Sequence, residues 1–196
     1  IGKKCFRDGR TLAYREGDGF SYVCGDASNC YRPEKLTRFL RHVVFVLDWP
    51  HKSAVSLVVL DEVEVARSGL VPRILLHTVG EPERKGACVT AKQGGGRLRM
   101  HVLLPQAATI EAIGGPGKEC WVDGKNFPVD YHADESLHRA QAWHNPGDWR
   151  VEVSPSGRQS RKATFLTLWV TSDADAPAAP APTLETDSSG WVVRQG

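Results

Sequence analysis

The sequence predicts an all-β protein, an antiparallel β-sandwich of roughly ten or more strands with at most one short helix. Three observations carry this. Apolar and polar residues alternate with period two through most of the chain, the signature of half-buried strands. Clusters rich in Gly, Pro, Asn and Asp separate the alternating runs: REGDG, LDWPHK, GEPERKG, KQGGG, GGPG, DGKN and HNPGD. No long window carries the 3.6-residue period of a helix. The best helical candidate is ADESLHRAQAWH at 133–144, where Asp134 can cap a short helix bearing Leu137 and Ala140. Strands at this spacing, without intervening helices, argue for a sandwich over an α/β sheet.

The elements follow in order. FSYVCGD at 20–26 places Phe20, Tyr22 and Cys24 on one face. RFLRHVVFVLD at 38–48 and SLVVLDEVEVA at 56–66 are β-branched runs with embedded acidic residues. ILLHTV at 74–79 is short and apolar. RLRMHVLL at 97–104 alternates cleanly, Leu98, Met100, Val102 and Leu104 against Arg97, Arg99 and His101. WRVEVSP at 149–155 turns Trp149, Val151 and Val153 inward. TFLTLWV at 164–170 is nearly continuous, as a strand covered on both faces is. The sandwich is expected to occupy 1–172. DADAPAAPAP opens a Pro/Ala-rich loop or linker over 173–190, and 191–196 is read as a last strand or tail that rejoins the sheet.

Composition narrows the function. With 196 residues, 41% hydrophobic and 24% charged, the chain is that of an ordinary globular domain. Its formal net charge of +2 offers no bulk attraction for nucleic acid. No apolar run approaches the about 18 residues of a membrane-spanning helix. The longest, HVVFVLDW, is interrupted by Asp48. The first ten residues lack the apolar core of a secretory signal, and the one methionine is Met100, so a piece or processed product of a longer protein is expected. Five cysteines without a CxxC pair are expected to be mostly free and buried, and they leave the compartment open. Cys24 and Cys30 are the one pair close enough in sequence to face across a hairpin.

TIEAIGGPGKECW at 109–121 has the outline of a phosphate cradle, a strand running into a glycine turn and a lysine. A Walker A loop needs a hydroxyl after Gly-Lys, but Glu119 stands there. Ala112 occupies the place of the first glycine, and ECWVDG continues as a strand instead of a helix N-terminus. The glycines therefore serve a tight turn, with Trp121 available to a core. His132, Asp134 and His138 have the residue types of a zinc site, but on a helix 134 and 138 share a face that excludes 132, so no metal is assigned. Neither HExxH nor GxSxG occurs, and no cofactor is assigned.

The candidate binding residues are Arg32, Lys35, Arg38 and Arg41, a basic row that reads in two ways. It lines a groove for an acidic polysaccharide, or it is a solvated strand edge whose charges discourage pairing. Of the six tryptophans, Trp121, Trp149 and Trp169 belong to alternating runs and to the core, while Trp49 and Trp143 lie in loops and are candidates for stacking on sugar rings.

Taken in order, GDASNCY, RFLRHVVFVL with VVLDEVE, ILLHTVGEPE, GGGRLRMHVLLPQAATIEAIGGPGKECWVDGKN and DWRVEVSP resemble the C-terminal β-sandwich region of heparinase II/III-like polysaccharide lyases, over about residues 13–170. The resemblance implies an enzyme whose N-terminal (α/α) toroid carries most of the cleft. It implies β-elimination on an acidic polysaccharide, with a base and a group that neutralises the uronate carboxylate. It also implies that the toroid is this region's partner, and it favours a periplasmic or extracellular setting. The family's catalytic residues and its His-rich, metal-binding stretch lie upstream of the matching segments. No catalytic residue is therefore carried onto this chain. A free-standing carbohydrate-binding module for acidic glycans is the alternative.

Overall fold

The structure, a computed structural model, describes residues 9–47, 55–128, 147–157, 160–177, 179–188 and 190–194. In chain order the strands are β1 (Arg10–Gly17), β2 (Phe20–Asp26), β3 (Leu36–Val46), β4 (Ser56–Val65), β5 (Ile74–Thr78), β6 (Glu83–Lys85), β7 (Cys88–Gln93), β8 (Gly96–Leu104), β9 (Ala108–Gly114), β10 (Trp121–Val122), β11 (Lys125–Asn126), β12 (Trp149–Pro155), β13 (Lys162–Asp173), β14 (Thr183–Asp187) and β15 (Gly190–Arg194). A single 3₁₀ turn, Ser28–Cys30, is the one helical element among the described residues. The helix expected near residue 134 lies outside them. No described helix is long and apolar enough to cross a membrane.

Eight strands form one antiparallel sheet in the order β1-β2-β3-β4-β13-β8-β7-β6, and three form a second in the order β5-β12-β9. The core lies where the small sheet covers the β13-β8-β7 part of the large one. Val89, Met100, Val102 and Phe165 meet Ile110, Val151 and Val153 there, with Trp169 packed against the cluster. Met100, Val102, Val151 and Val153 come from the apolar phase of the alternating runs RLRMHVLL and WRVEVSP, and Phe165 from the nearly continuous TFLTLWV, as the sequence predicts, while Val89 lies in a strand it did not single out. The Trp169 indole N–H donates to Thr167 Oγ1 at 2.7 Å, so burying the ring leaves no stranded donor. β13 is an interior strand, and both its faces are covered: Phe165 is 1% exposed and Leu168 0%.

The polar phase of β8 is also enclosed. Arg99 is 8% exposed and His101 9%, on the face opposite Met100 and Val102. This departs from the simple alternation, in which such residues meet water. The neighbours directly across on that face are Leu168 and Val170 on β13 and Cys88 and Thr90 on β7. Burial, and then the charge of Arg99, push the His101 pKa below its ordinary 6.5. An unfolded chain therefore takes up a proton near pH 6.5 that the folded chain refuses. Stability from this residue is intact above about pH 6.5 and declines as the pH falls below it. Urea midpoints at pH 7.5 and 5.5 should show a smaller acid loss in His101→Gln than in the parent chain.

The glycine turn after β9 serves packing. A side chain on Gly114 would meet Asp148 O and come within 2.6 Å of Trp149 Cα, and one on Gly115 would lie 3.0 Å from Trp149 Cζ2. Both glycines let β9 approach β12 where Trp149 pairs with Gly114. Gly117 adopts φ +78° in open space. Gly114→Ala should cost about 3 kcal/mol, because backbone must move. Gly117→Ala should cost only about 1–2 kcal/mol, the left-handed penalty alone. Thermal melts of the two variants check the difference. The DGKN hairpin joining β10 and β11 turns through Asp123 and Gly124, both at positive φ (48° and 84°).

The C-terminal part differs from the sequence reading. β15 pairs with β14 in a separate two-stranded sheet and does not rejoin the large one, and β14 falls within the stretch expected as loop or linker. Thr183, Glu185 and Asp187 make β14 look like a loop. Its strand form comes from pairing with β15, including the Arg194–Glu185 ion pair at 3.0 Å. The Pro/Ala stretch is tied to β8: Arg97 donates to the carbonyls of Ala174 and Ala176, and Arg99 to that of Ala179.

Candidate functional site

β3 lies between β2 and β4, so its basic residues do not protect a sheet edge. Nor do they form one row. Arg38 and Arg41 are three residues apart on a strand, and residues so spaced point to opposite faces. Each finds its own carboxylate on β4. Arg38 Nη2 donates to Glu62 Oε2 at 2.7 Å, both side chains partly exposed. Arg41 grips Asp61 with two parallel bonds, Nε to Oδ1 at 2.7 Å and Nη2 to Oδ2 at 2.8 Å. Arg32 and Lys35 lie before β3 in an exposed turn closed by Lys35 N–H donating to Arg32 O at 2.9 Å. Trp49, Trp143, His132, Asp134 and His138 lie outside the described residues.

Arg38 borders a concave surface lined by Glu62, Glu64 and Lys162, and Arg41 borders the aromatic-lined one. A groove of about 370 Å³ runs between β3 and β4 and the start of β5, with Tyr31, Phe39, Arg41, Asp61 and Arg73 among its lining. Its floor reaches Phe165, at the margin of the core. The Asp61 side chain is 3% exposed whereas that of Arg41 is 49% exposed, so the pair buries its anion and presents its cation. The carboxylate holds the guanidinium fixed and charged, with its pKa raised by the Asp61 hydrogen bonds. Arg41 also stands over the Phe39 ring at 5.3 Å, and Tyr31 meets Phe39 edge-on at 5.8 Å between centroids. Arg73, half exposed, is steered by Glu152 Oε2 at 3.1 Å. Glu152 is braced in turn by Arg150, whose Nη2 also donates to Trp121 O.

Tyr31, Phe39 and Arg73 are the residues the sequence reading missed. Strand alternation pairs Phe39 with Arg41 and separates both from Arg38, so that signal was present. Arg73 comes from a distant segment and no local pattern joins it to them. The groove combines an exposed aromatic ring with two cations held in place by carboxylates. That combination suits stacking on a sugar ring and an ion pair to its acidic group.

A second titratable cluster lies on the other face of the large sheet. Tyr22 Oη and His42 Nδ1 are 2.9 Å apart, and Cys24 Sγ lies 3.9 Å from His42 Nε2. Cys24 is 4% exposed, and a thiol sealed in a core is no accessible nucleophile. The four described cysteines are free thiols, so Cys24 and Cys30 do not pair. Among the described residues no three His, Cys, Asp or Glu side chains gather as metal ligands.

Fold and groove define a class: an antiparallel β-sandwich with one large and one small sheet and a basic, aromatic-lined surface. No protein-family model and no curated protein matches the chain. Among solved structures, the heparan sulfate lyase HepC from Pedobacter heparinus matches with a TM-score of 0.58 and 12% identity, over 96% of this chain and 28% of that one. A mutant form of the same lyase matches with the same figures. The chain thus spans a little over a quarter of the length of the lyases it matches. At this identity the likeness is one of fold. It is the fold that the sequence motifs, by their resemblance to heparinase-type lyases, lead one to expect.

Proposed function

We propose that this chain is the non-catalytic β-sandwich region of a heparinase II/III-like polysaccharide lyase that cleaves an acidic polysaccharide by β-elimination. In this reading it supports the helical toroid of such an enzyme and contributes one wall of the cleft. The observation that carries it is the fold match, which takes in nearly all of this chain and a minor part of the lyase. The groove is consistent with a wall: Arg41 and Arg73 present cations and Tyr31 a ring, while both arginines are already engaged by carboxylates. Such groups bind and orient an acidic sugar. They do not supply the free base that removes a proton next to its carboxylate. The purified chain, given heparan sulfate, heparin or alginate, should produce no absorbance from unsaturated uronate. Sustained turnover would exclude a non-catalytic role.

A second reading is a carbohydrate-binding module for acidic glycans, favoured by the same groove acting alone. It expects retention on a heparin column at low salt. Tyr31→Ala and Arg73→Gln should each elute earlier, whereas Arg38→Gln, on the opposite face, should elute with the parent chain. No retention above that of a neutral column counts against it.

A further inference from the structure

Away from the Arg41 groove, two adjoining recesses flank the start of β13. The ladder between β13 and β4 reaches back to Lys162, opposite Glu64, whereas the ladder between β13 and β8 begins only at Leu166, opposite Leu104. The first residues of β13 therefore have a strand on one side only. Arg161 O accepts from Val65 N–H, and Thr171 N–H donates to Val55 O, so the odd-numbered residues of this strand bond to β4. The main-chain N–H and C=O of Thr164 are turned the other way, to the side where the β8 ladder has ended.

On that side a recess of about 440 Å³ has Leu104, Pro105, Gln106, Lys162, Thr164 and Trp191 among its lining. On the β4 side of the same strand a second, of about 430 Å³, is bordered by Arg38, Glu62 and Glu64. Lys162 and Thr164 belong to both and stand between them. Register puts these side chains on one face of the sheet: Glu64 lies between Arg38 and Lys162, and Glu62 between Leu40 and Thr164. Leu104, opposite Leu166, is on that face as well. Trp191 comes from the C-terminal hairpin. It pairs with Thr186, and Val193 with Leu184, so the indole shares the hairpin face of the half-buried Leu184 and Val193. The ring itself is 43% exposed. The polar groups nearby are held in place: Arg38 Nη2 lies 2.7 Å from Glu62 Oε2, and Arg161 Nη2 3.5 Å from Glu64 Oε1. Within the lining, Arg38 and Lys162 cancel Glu62 and Glu64, so the two recesses favour neither sign of ligand. The Arg41 groove differs, because its Asp61 is enclosed and its cation presented.

An exposed aromatic ring, with fixed donors and acceptors beside it and no net charge, suits a ligand that has apolar C–H faces and a rim of hydroxyls. We infer that the two recesses form a binding site for an uncharged oligosaccharide. One sugar ring stacks on Trp191 and is hydrogen-bonded by Thr164 and Lys162. The next unit crosses to the Arg38–Glu62 pair, whose guanidinium donates to its hydroxyls and whose carboxylate accepts from them. This inference stands independently of the lyase reading, because it rests on a different site, on a different class of sugar and on no property of the relatives.

The test is calorimetric titration of the whole chain with maltohexaose, cellohexaose and N-acetylchitohexaose, and with a heparin-derived hexasaccharide for comparison. Saturable binding of at least one of the three uncharged sugars is expected, with an affinity that added sodium chloride leaves unchanged, since no ion pair to the ligand is screened. Trp191→Ala should weaken it by about tenfold or more, and Trp191→Phe, which keeps a ring, by less. Thr164→Val, which keeps the shape of the residue and removes its hydroxyl, should weaken it about fivefold. Trp191 lies in a hairpin outside the core, so the Trp191 variants should melt with the parent chain, and their loss is then one of ligand contact. Arg73→Gln, in the other groove, should leave the uncharged sugars unaffected and weaken the heparin hexasaccharide alone. Binding of an uncharged sugar that Trp191→Ala does not change overturns the inference. So does the failure of all three to bind, whether or not the heparin hexasaccharide does, and that result leaves the lyase reading untouched.

Discussion

Phe165→Ala is expected to lower the unfolding free energy by about 3–5 kcal/mol, the largest effect of any single truncation considered. Phe165 is 1% exposed and lies in the interior strand of the large sheet, where it faces the small sheet. Removing the ring forfeits its transfer from water and leaves a void that cannot close, because β4 and β8 hold β13 on both sides through long ladders. A urea titration followed by tryptophan fluorescence should show the midpoint falling with little change in slope. Phe165→Leu, which keeps most of the volume, should recover more than half of the loss. An unchanged midpoint for the alanine variant would mean that the two sheets do not share this core.

Arg41→Met is the second. It leaves the Asp61 carboxylate enclosed without its two charge-assisted bonds. Breaking a fully buried pair by removing one partner costs about 3–5 kcal/mol. Arg41 is half exposed, so water reaches the vacated place and a cost of about 2–3 kcal/mol is expected. The double variant Arg41→Met/Asp61→Leu should recover most of it, since no unpaired charge then remains. Arg41→Lys should fall between, because an ammonium cannot reproduce the paired geometry of the guanidinium. Denaturation of the four chains gives the coupling directly. A coupling near zero would make Arg41 a surface charge, free to engage a ligand without Asp61.

These two residues show how far the sequence by itself carries. The run TFLTLWV announces a strand covered on both faces, and the structure makes it the strand between β4 and β8. The nearly unbroken apolar run sufficed, because burial on both faces leaves no polar phase. FSYVCGD, RLRMHVLL and WRVEVSP were legible as strands by their period-two alternation, and the GGPG turn as a turn. Arg41 was legible as a basic residue on a strand, but its partner was not. Asp61 lies twenty positions away, and only the β3–β4 register sets the two opposite each other.

The sequence alone determined the class of fold, the position of most strands, and the failure of the glycine turn as a nucleotide cradle. These depend on neighbours within a few residues, where period and turn chemistry act. Tertiary structure decided which charges are compensated and which are not. It split Arg38 from Arg41, joined Arg73 to Tyr31 and Phe39, enclosed Arg99 and His101, and paired β15 with β14. Each of these depends on which strands lie side by side and what covers their faces. That is settled by long-range packing, and charges distant along the chain meet only when it is complete.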